Sequence, residues 1–244
     1  MQALKDRLKA LRLRGFANNL ETRIQQALAA NLSYEDFLAL LTEDQEALRF
    51  TQAYQKRLRQ SNLDARKTLD NYLYSKQPSV NPKQIAQLAT CDFIKNKSKL
   101  IVIGISGVGK SHICGGIGLK AIEKGYKVMR YNSNDLADLL LQAQKKAEYH
   151  ALTKEICGAD LVILDEMCLI EYPPGGSILL MRLLEKLDEH TAVAFTSNRE
   201  LSDWVRFFPD DVVASAFVDR TIHQATIIRI IGDSTRADLH RSLS

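Results

Sequence analysis

Apolar residues along this chain fall into two patterns. At residues 100–103 (LIVI), 161–164 (LVIL) and 192–195 (AVAF) they are consecutive, as in parallel strands covered on both faces. Elsewhere they recur at three- and four-residue spacing, the mark of helices with one buried side. Residues 112–124 read as a helix stopped by Gly125, residues 127–131 (KVMRY) as a short strand, and Asn134 as the start of a helix striped by Leu136, Leu139 and Leu140. Residues 82–96 look helical, and residues 226–231 look like a last strand. Strands alternating with helices predict an α/β fold, a parallel sheet flanked by helices. Gly115, Gly116 and Gly118 each weaken the 112–124 helix by up to ~1 kcal/mol relative to alanine, which points to close packing on the sheet.

The N-terminal third has no such strands. Leu4, Leu8 and Leu11, then Leu20, Ile24 and Leu28, keep helical spacing, with Gly15 as the expected break. Ser33 followed by Asp36 reads as a helix start. Phe37, Leu40, Leu41, Leu48 and Leu58 continue an apolar face from it. We therefore expect a small all-α domain over residues 1–70, a linker at 71–82 carrying Pro78 and Pro82, and the α/β domain over 83–244.

Composition narrows the class. Of the 244 residues 45% are hydrophobic and 25% charged, and no apolar run approaches the roughly 20 residues that cross a bilayer. The first residues interrupt their apolar positions with charges every few places, so neither a signal peptide nor an anchor is expected, and a cytoplasmic location is. Cys91, Cys114, Cys157 and Cys168 lie far apart, which favours reduced structural thiols over a metal site. The formal charge of +4 sits in residues 1–80, where 13 lysines and arginines face 9 acids. Lys5, Arg7, Lys9, Arg12 and Arg14 form one basic run, and Lys56, Arg57, Arg59, Arg66 and Lys67 a denser one; Lys145 and Lys146 end a helix further on. Such runs either neutralise nucleic-acid phosphates or are solvated helix faces.

Chemistry concentrates at the end of the first apolar strand. Residues 104–111 (GISGVGKS) fit G-x-x-x-x-G-K-[ST], a loop whose backbone N–H groups fold around phosphate oxygens ahead of a helix N-terminus. Gly104, Ser106, Gly107, Val108, Gly109, Lys110, Ser111 and His112 are the expected nucleotide contacts, with Lys110 on the β- and γ-phosphates and the Ser111 hydroxyl on Mg²⁺. The second apolar strand ends in Asp165 and Glu166. An acid pair there suits NTP hydrolysis, the first holding Mg²⁺ and the second polarising the attacking water. The third runs into Thr196, Ser197 and Asn198, where the amide can orient that water or merely cap a turn.

Phosphate loop, strand ending LDE, strand ending TSN, then VDR and a late GDSTR together resemble the IstB-like transposition helper ATPases, AAA+ proteins related to the DnaC-type helicase loaders. LRLRGFANNLE, LSYEDFLALL and KGYKV extend the resemblance over nearly the whole chain. It implies a P-loop AAA+ sheet, ATP as the nucleotide, and Asn198, Arg220 and Arg236 as sensor 1, arginine finger and sensor 2. It also implies a homo-oligomer on duplex DNA that serves a cognate transposase. A DnaC-like loader acting with single-stranded DNA is the alternative within the same fold. Ser111 stands where the family usually has threonine, and MCLIEYPPGG follows Glu166 in place of the family's LGYLP.

Overall fold

The computed structural model describes residues 1–188, 190–208 and 211–234. The chain divides into two units, Met1–Lys56 and the remainder from Arg57. The first holds helices α1 (Gln2–Ala10), α2 (Arg14–Ala30) and most of α3 (Tyr34–Ser61). Ser33 starts α3 as expected: its Oγ accepts the Asp36 N–H at 3.1 Å and donates to the Asp36 carboxylate at 2.6 Å. Gly15, the expected break, lies inside α2, and the chain turns at Arg12, which takes φ 61°. The glycine serves contact instead. A Cβ on it would stand 2.4 Å from Gln45 Cα, and its N–H donates to Gln45 Oε1 at 2.8 Å.

In the second unit, residues 71–82 are packed rather than extended as a linker. Two 3-10 turns, Leu69–Asn71 and Tyr74–Lys76, precede α4 (Pro82–Leu88), and Tyr72, Gln77 and Val80 are buried. Apolar side chains at 63, 69, 72 and 80 tie this strap to the α/β core, so the division of the chain falls earlier than composition suggests. The single helix expected over 82–96 is two, α4 and α5 (Asp92–Lys95), because Cys91 takes a left-handed φ of 65° between them.

β1 (Lys99–Gly104), β2 (Val128–Asn132), β3 (Leu161–Asp165), β4 (Ala192–Ser197) and β5 (Ala225–Ile230) form one sheet in the order β2-β3-β4-β1-β5. Every pairing is parallel, so the C-terminal ends of all five strands share one edge. The three unalternating apolar runs are the three middle strands, and each of those residues is buried. Helix α6 (Lys110–Glu123) follows β1, α7 (Ser133–Lys145) and α8 (Tyr149–Cys157) separate β2 from β3, α9 (Gly176–Leu187) precedes β4, and α10 (Asp211–Ile222) precedes β5. Ile101, Val162, Leu164 and Phe195 of the sheet pack with Leu136 and Leu140 of α7, Leu180 and Leu183 of α9, and Trp204. No described helix is long and apolar enough to cross a membrane.

Candidate nucleotide site

Local backbone chemistry builds the cleft at the C-terminal edge of the sheet. β1 ends at Gly104, and the loop that follows reaches α6 through Gly107 and Gly109 at φ 84° and 95°, a region in which side chains with a Cβ are strained. Gly109 has a second reason to lack a side chain. A Cβ there would stand 2.6 Å from the Tyr72 ring, whose hydroxyl donates to the Val108 carbonyl at 3.2 Å. Lys110 opens α6, is buried, and donates from Nζ to the Ile105 carbonyl at 2.8 Å. Ser106, Gly107 and Gly109 of the loop and Lys110, Ser111 and His112 of α6 line one cleft together with Glu166, Asn198 and Lys67.

The two acids at the end of β3 occupy different surroundings. Asp165 is buried, and its carboxylate receives the Ser111 hydroxyl at 2.8 Å, the Thr196 hydroxyl and an ion pair from the Arg130 guanidinium. Burial alone would raise this carboxyl. The bonds from Thr196, Arg130 and Ser111 outweigh it and hold the group below the usual carboxylate range. Glu166 takes φ 59°, which turns its carboxylate toward β2, where Asn132 Nδ2 donates to Oε2 at 2.7 Å. Its own N–H donates to Thr196 Oγ1 at 3.0 Å. Asn132 also caps α7, its Oδ1 accepting the Asn134 N–H at 3.0 Å. Ser111 and Asp165 offer hard oxygen donors of the kind Mg²⁺ takes. Among the described residues no group of three His, Cys, Asp or Glu could hold a metal ion, so an Mg²⁺ here would share its shell with phosphate and water.

Other expected residues fall elsewhere. Arg220, near the end of α10, pairs with Glu185 at 3.0 Å and Asp188 at 3.7 Å, and its carbonyl accepts Lys99 Nζ at 2.6 Å. Lys99 begins β1 and the loop ends it. Five residue steps of about 3.3 Å put Arg220 roughly 16 Å from the cleft of its own chain. Arg236 lies outside the described residues. Of the basic run, Lys56 and Arg59 are exposed and Arg57 is half-buried, while Arg66 is committed to Asp64 by two bonds of 3.0 Å. Lys145 and Lys146 are exposed at the end of α7. The sequence reading missed Arg130, Asn132 and Thr196, and Lys67 as a cleft residue. Register holds the only signal for the first: Arg130 pairs with Ile163 across β2 and β3, two places before Asp165 on the same face.

A profile of the family described as IstB-like ATP binding protein matches residues 6–243. Over 226 residues the chain is 30% identical to a protein of insertion sequence IS5376 from Geobacillus stearothermophilus that is named for ATP binding, covering 93% of this chain and 90% of that one. A protein of insertion sequence IS21 from Pseudomonas aeruginosa, also named for ATP binding, is 29% identical over 236 residues, 97% of this chain and 89% of the other. Among solved structures, the DnaC helicase loader matches with a TM-score of 0.56 at 17% identity, over 68% of this chain and 98% of that one. The replication initiator DnaA, bound to AMPPCP and single-stranded DNA, matches with 0.56 at 19% identity over 75% of this chain, which spans 56% of the initiator's length. These two share the AAA+ fold with it.

Proposed function

Because this chain belongs to the IstB-like family of ATP-binding proteins, we propose that it is the ATP-dependent helper of an insertion sequence, assembling on duplex DNA and controlling a cognate transposase. The chain is a P-loop ATPase with an AAA+ fold. In our reading the loop N–H groups and Lys110 bind the phosphate chain, and Ser111 and Asp165 hold Mg²⁺, which neutralises phosphate charge when bound. Glu166 is the base that takes a proton from the attacking water, and Asn198 orients that water. The Asn132 amide engages only Oε2 of Glu166, and a carboxylate can take a proton on its other oxygen.

The observation that carries the oligomeric reading is the position of Arg220. An arginine roughly 16 Å from its own cleft cannot stabilise charge on the phosphate bound there. On a second copy it can, since its guanidinium is half exposed and its shorter ion pair, with the exposed Glu185, is weak enough to exchange for phosphate. The exposed lysines and arginines at 56, 59, 145 and 146 are candidate DNA contacts.

Electron microscopy of the full chain with duplex or single-stranded DNA, with and without a non-hydrolysable ATP analogue, tests this reading. Rings or filaments that need both duplex and nucleotide support it. Assembly on single strands alone, with capture of a hexameric helicase, would replace the helper with a loader.

A further inference from the structure

Lys67 and Arg66 are neighbours in one basic run, yet the structure sends them to different places. Arg66 is exposed and clamped on Asp64. Lys67 is half-buried and lines the phosphate cleft together with Ser106, Lys110, Glu166 and Asn198. The strap around it is fixed at several points. The Lys67 N–H donates to the Asp64 carbonyl at 3.0 Å, the Thr68 carbonyl bonds His112 Nε2 at 2.7 Å, and Tyr72 closes on Gly109 and Val108.

Glycines of α6 make this placement possible. A Cβ on Gly116 would stand 2.6 Å from Leu69 Cδ2, and one on Gly118 would stand 2.9 Å from Leu63 Cδ1. Without them the strap could not lie on the helix whose first residues bind phosphate. Lys67 thus arrives on a rigid segment, with a flexible four-carbon stem ending in a compact charge, beside a loop built to gather anions.

We propose that Lys67 is a second phosphate-binding lysine, contacting the phosphate chain of the bound nucleotide from the strap. The proposal rests on ATP occupying this cleft. It removes Lys67 from the residues offered to DNA. An ammonium–phosphate bond on a partly wet wall belongs to the weaker charge-assisted class, and its loss is expected to weaken binding on the order of tenfold.

The test uses the full chain carrying Lys67→Met, Lys67→Arg or Lys110→Ala, titrated with fluorescent ATP, ADP and adenosine analogues at several salt concentrations. Duplex DNA binding without nucleotide and melting temperature without ligand are read in parallel. We expect Lys67→Met to bind ATP and ADP about tenfold more weakly, with a shallower salt dependence, and to leave adenosine, duplex binding and melting temperature unchanged; Lys67→Arg recovers part of the loss. Wild-type nucleotide affinity in Lys67→Met, beside a Lys110→Ala protein that no longer binds, overturns the proposal and leaves the ATP site standing. A loss confined to DNA, or one that follows a lowered melting temperature, overturns it as well. Normal ATP binding by Lys110→Ala would sink the nucleotide site itself, and Lys67 with it.

Discussion

Two adjacent glycines in α6 predict opposite outcomes for one substitution. A Cβ at Gly115 meets only the Lys67 Cβ, at 3.9 Å, which is ordinary contact. Gly115→Ala therefore gains helix propensity without a clash and is expected to stabilise the protein by about 0.5–1 kcal/mol. A Cβ at Gly116 meets Leu69 Cδ2 at 2.6 Å, Cγ at 2.9 Å and backbone N at 3.0 Å. The side chain could rotate away, but the backbone nitrogen moves only if the strap lifts. Overpacking of this kind costs about 1–3 kcal/mol, against the same propensity gain, so Gly116→Ala is expected to lose up to ~2 kcal/mol. For a chain of this size each kcal/mol moves the melting temperature by about 2–4 °C. Thermal melts of the two variants beside wild type should bracket it, Gly115→Ala above and Gly116→Ala below. Nucleotide titration should show Gly116→Ala weakened, since Thr68 and Tyr72 move with Leu69. If Gly116→Ala melts at or above Gly115→Ala, the strap does not press on α6 and the argument from close approach fails.

Glu166→Gln should bind ATP like wild type and hydrolyse it about 10²–10⁴ times more slowly; wild-type turnover would move the base elsewhere. Arg220→Ala should bind ATP normally and lose about 10³–10⁵ in rate. Mixed with Lys110→Ala it should regain part of that rate across subunit boundaries, and an inactive mixture would mean that the arginine does not act in trans. In the first unit, the bidentate bond from Arg23, 2.8 and 2.7 Å, holds the Asp44 carboxyl below its ordinary value. The stability this contributes is present above the unfolded carboxylate value of ~3.9 and is lost as pH falls through the lower folded value. Asp44→Asn should therefore lower the melting temperature near neutrality and flatten its fall below about pH 4, and an unchanged acid profile would contradict the pairing.

The middle of the sheet was legible because burial on both faces leaves no room for polar alternation, and the loop because its glycines and lysine are contiguous. Residues 176–187 show the limit of that reading. Leu179, Leu180, Leu183, Leu184 and Leu187 keep helical spacing and are all buried in α9, yet the glycines and prolines just before them dominate the local composition. The strap was misread for a related reason. Pro78 and Pro82 mark irregular backbone, but irregular backbone is not the same as exposed backbone, and Tyr72 and Val80 found burial on a surface that appears only when distant strands assemble. Arg130, Asn132 and Thr196 surround the two acids from neighbouring strands, so their roles come from register and are invisible to any local motif. Lys67 looked like surface charge because its destination is set by glycines some fifty residues further along.

The strap has one more set of partners, and they set the order of events during synthesis. Gln77 donates to the Asp233 carbonyl at 2.9 Å across 156 residues, and Ser79 accepts the Ile231 N–H at 2.8 Å across 152. The strap leaves the ribosome well before the segment that fastens it. At roughly 5–20 residues per second that interval is about 8–30 s, and for most of it the loop and α6 are present but the strap is sealed only on one side. Closure over so long a stretch of chain comes late. A chain that stops short of β5 would therefore carry the whole phosphate-loop motif with its strap fastened only from the side of the loop and α6, through Tyr72 and Thr68.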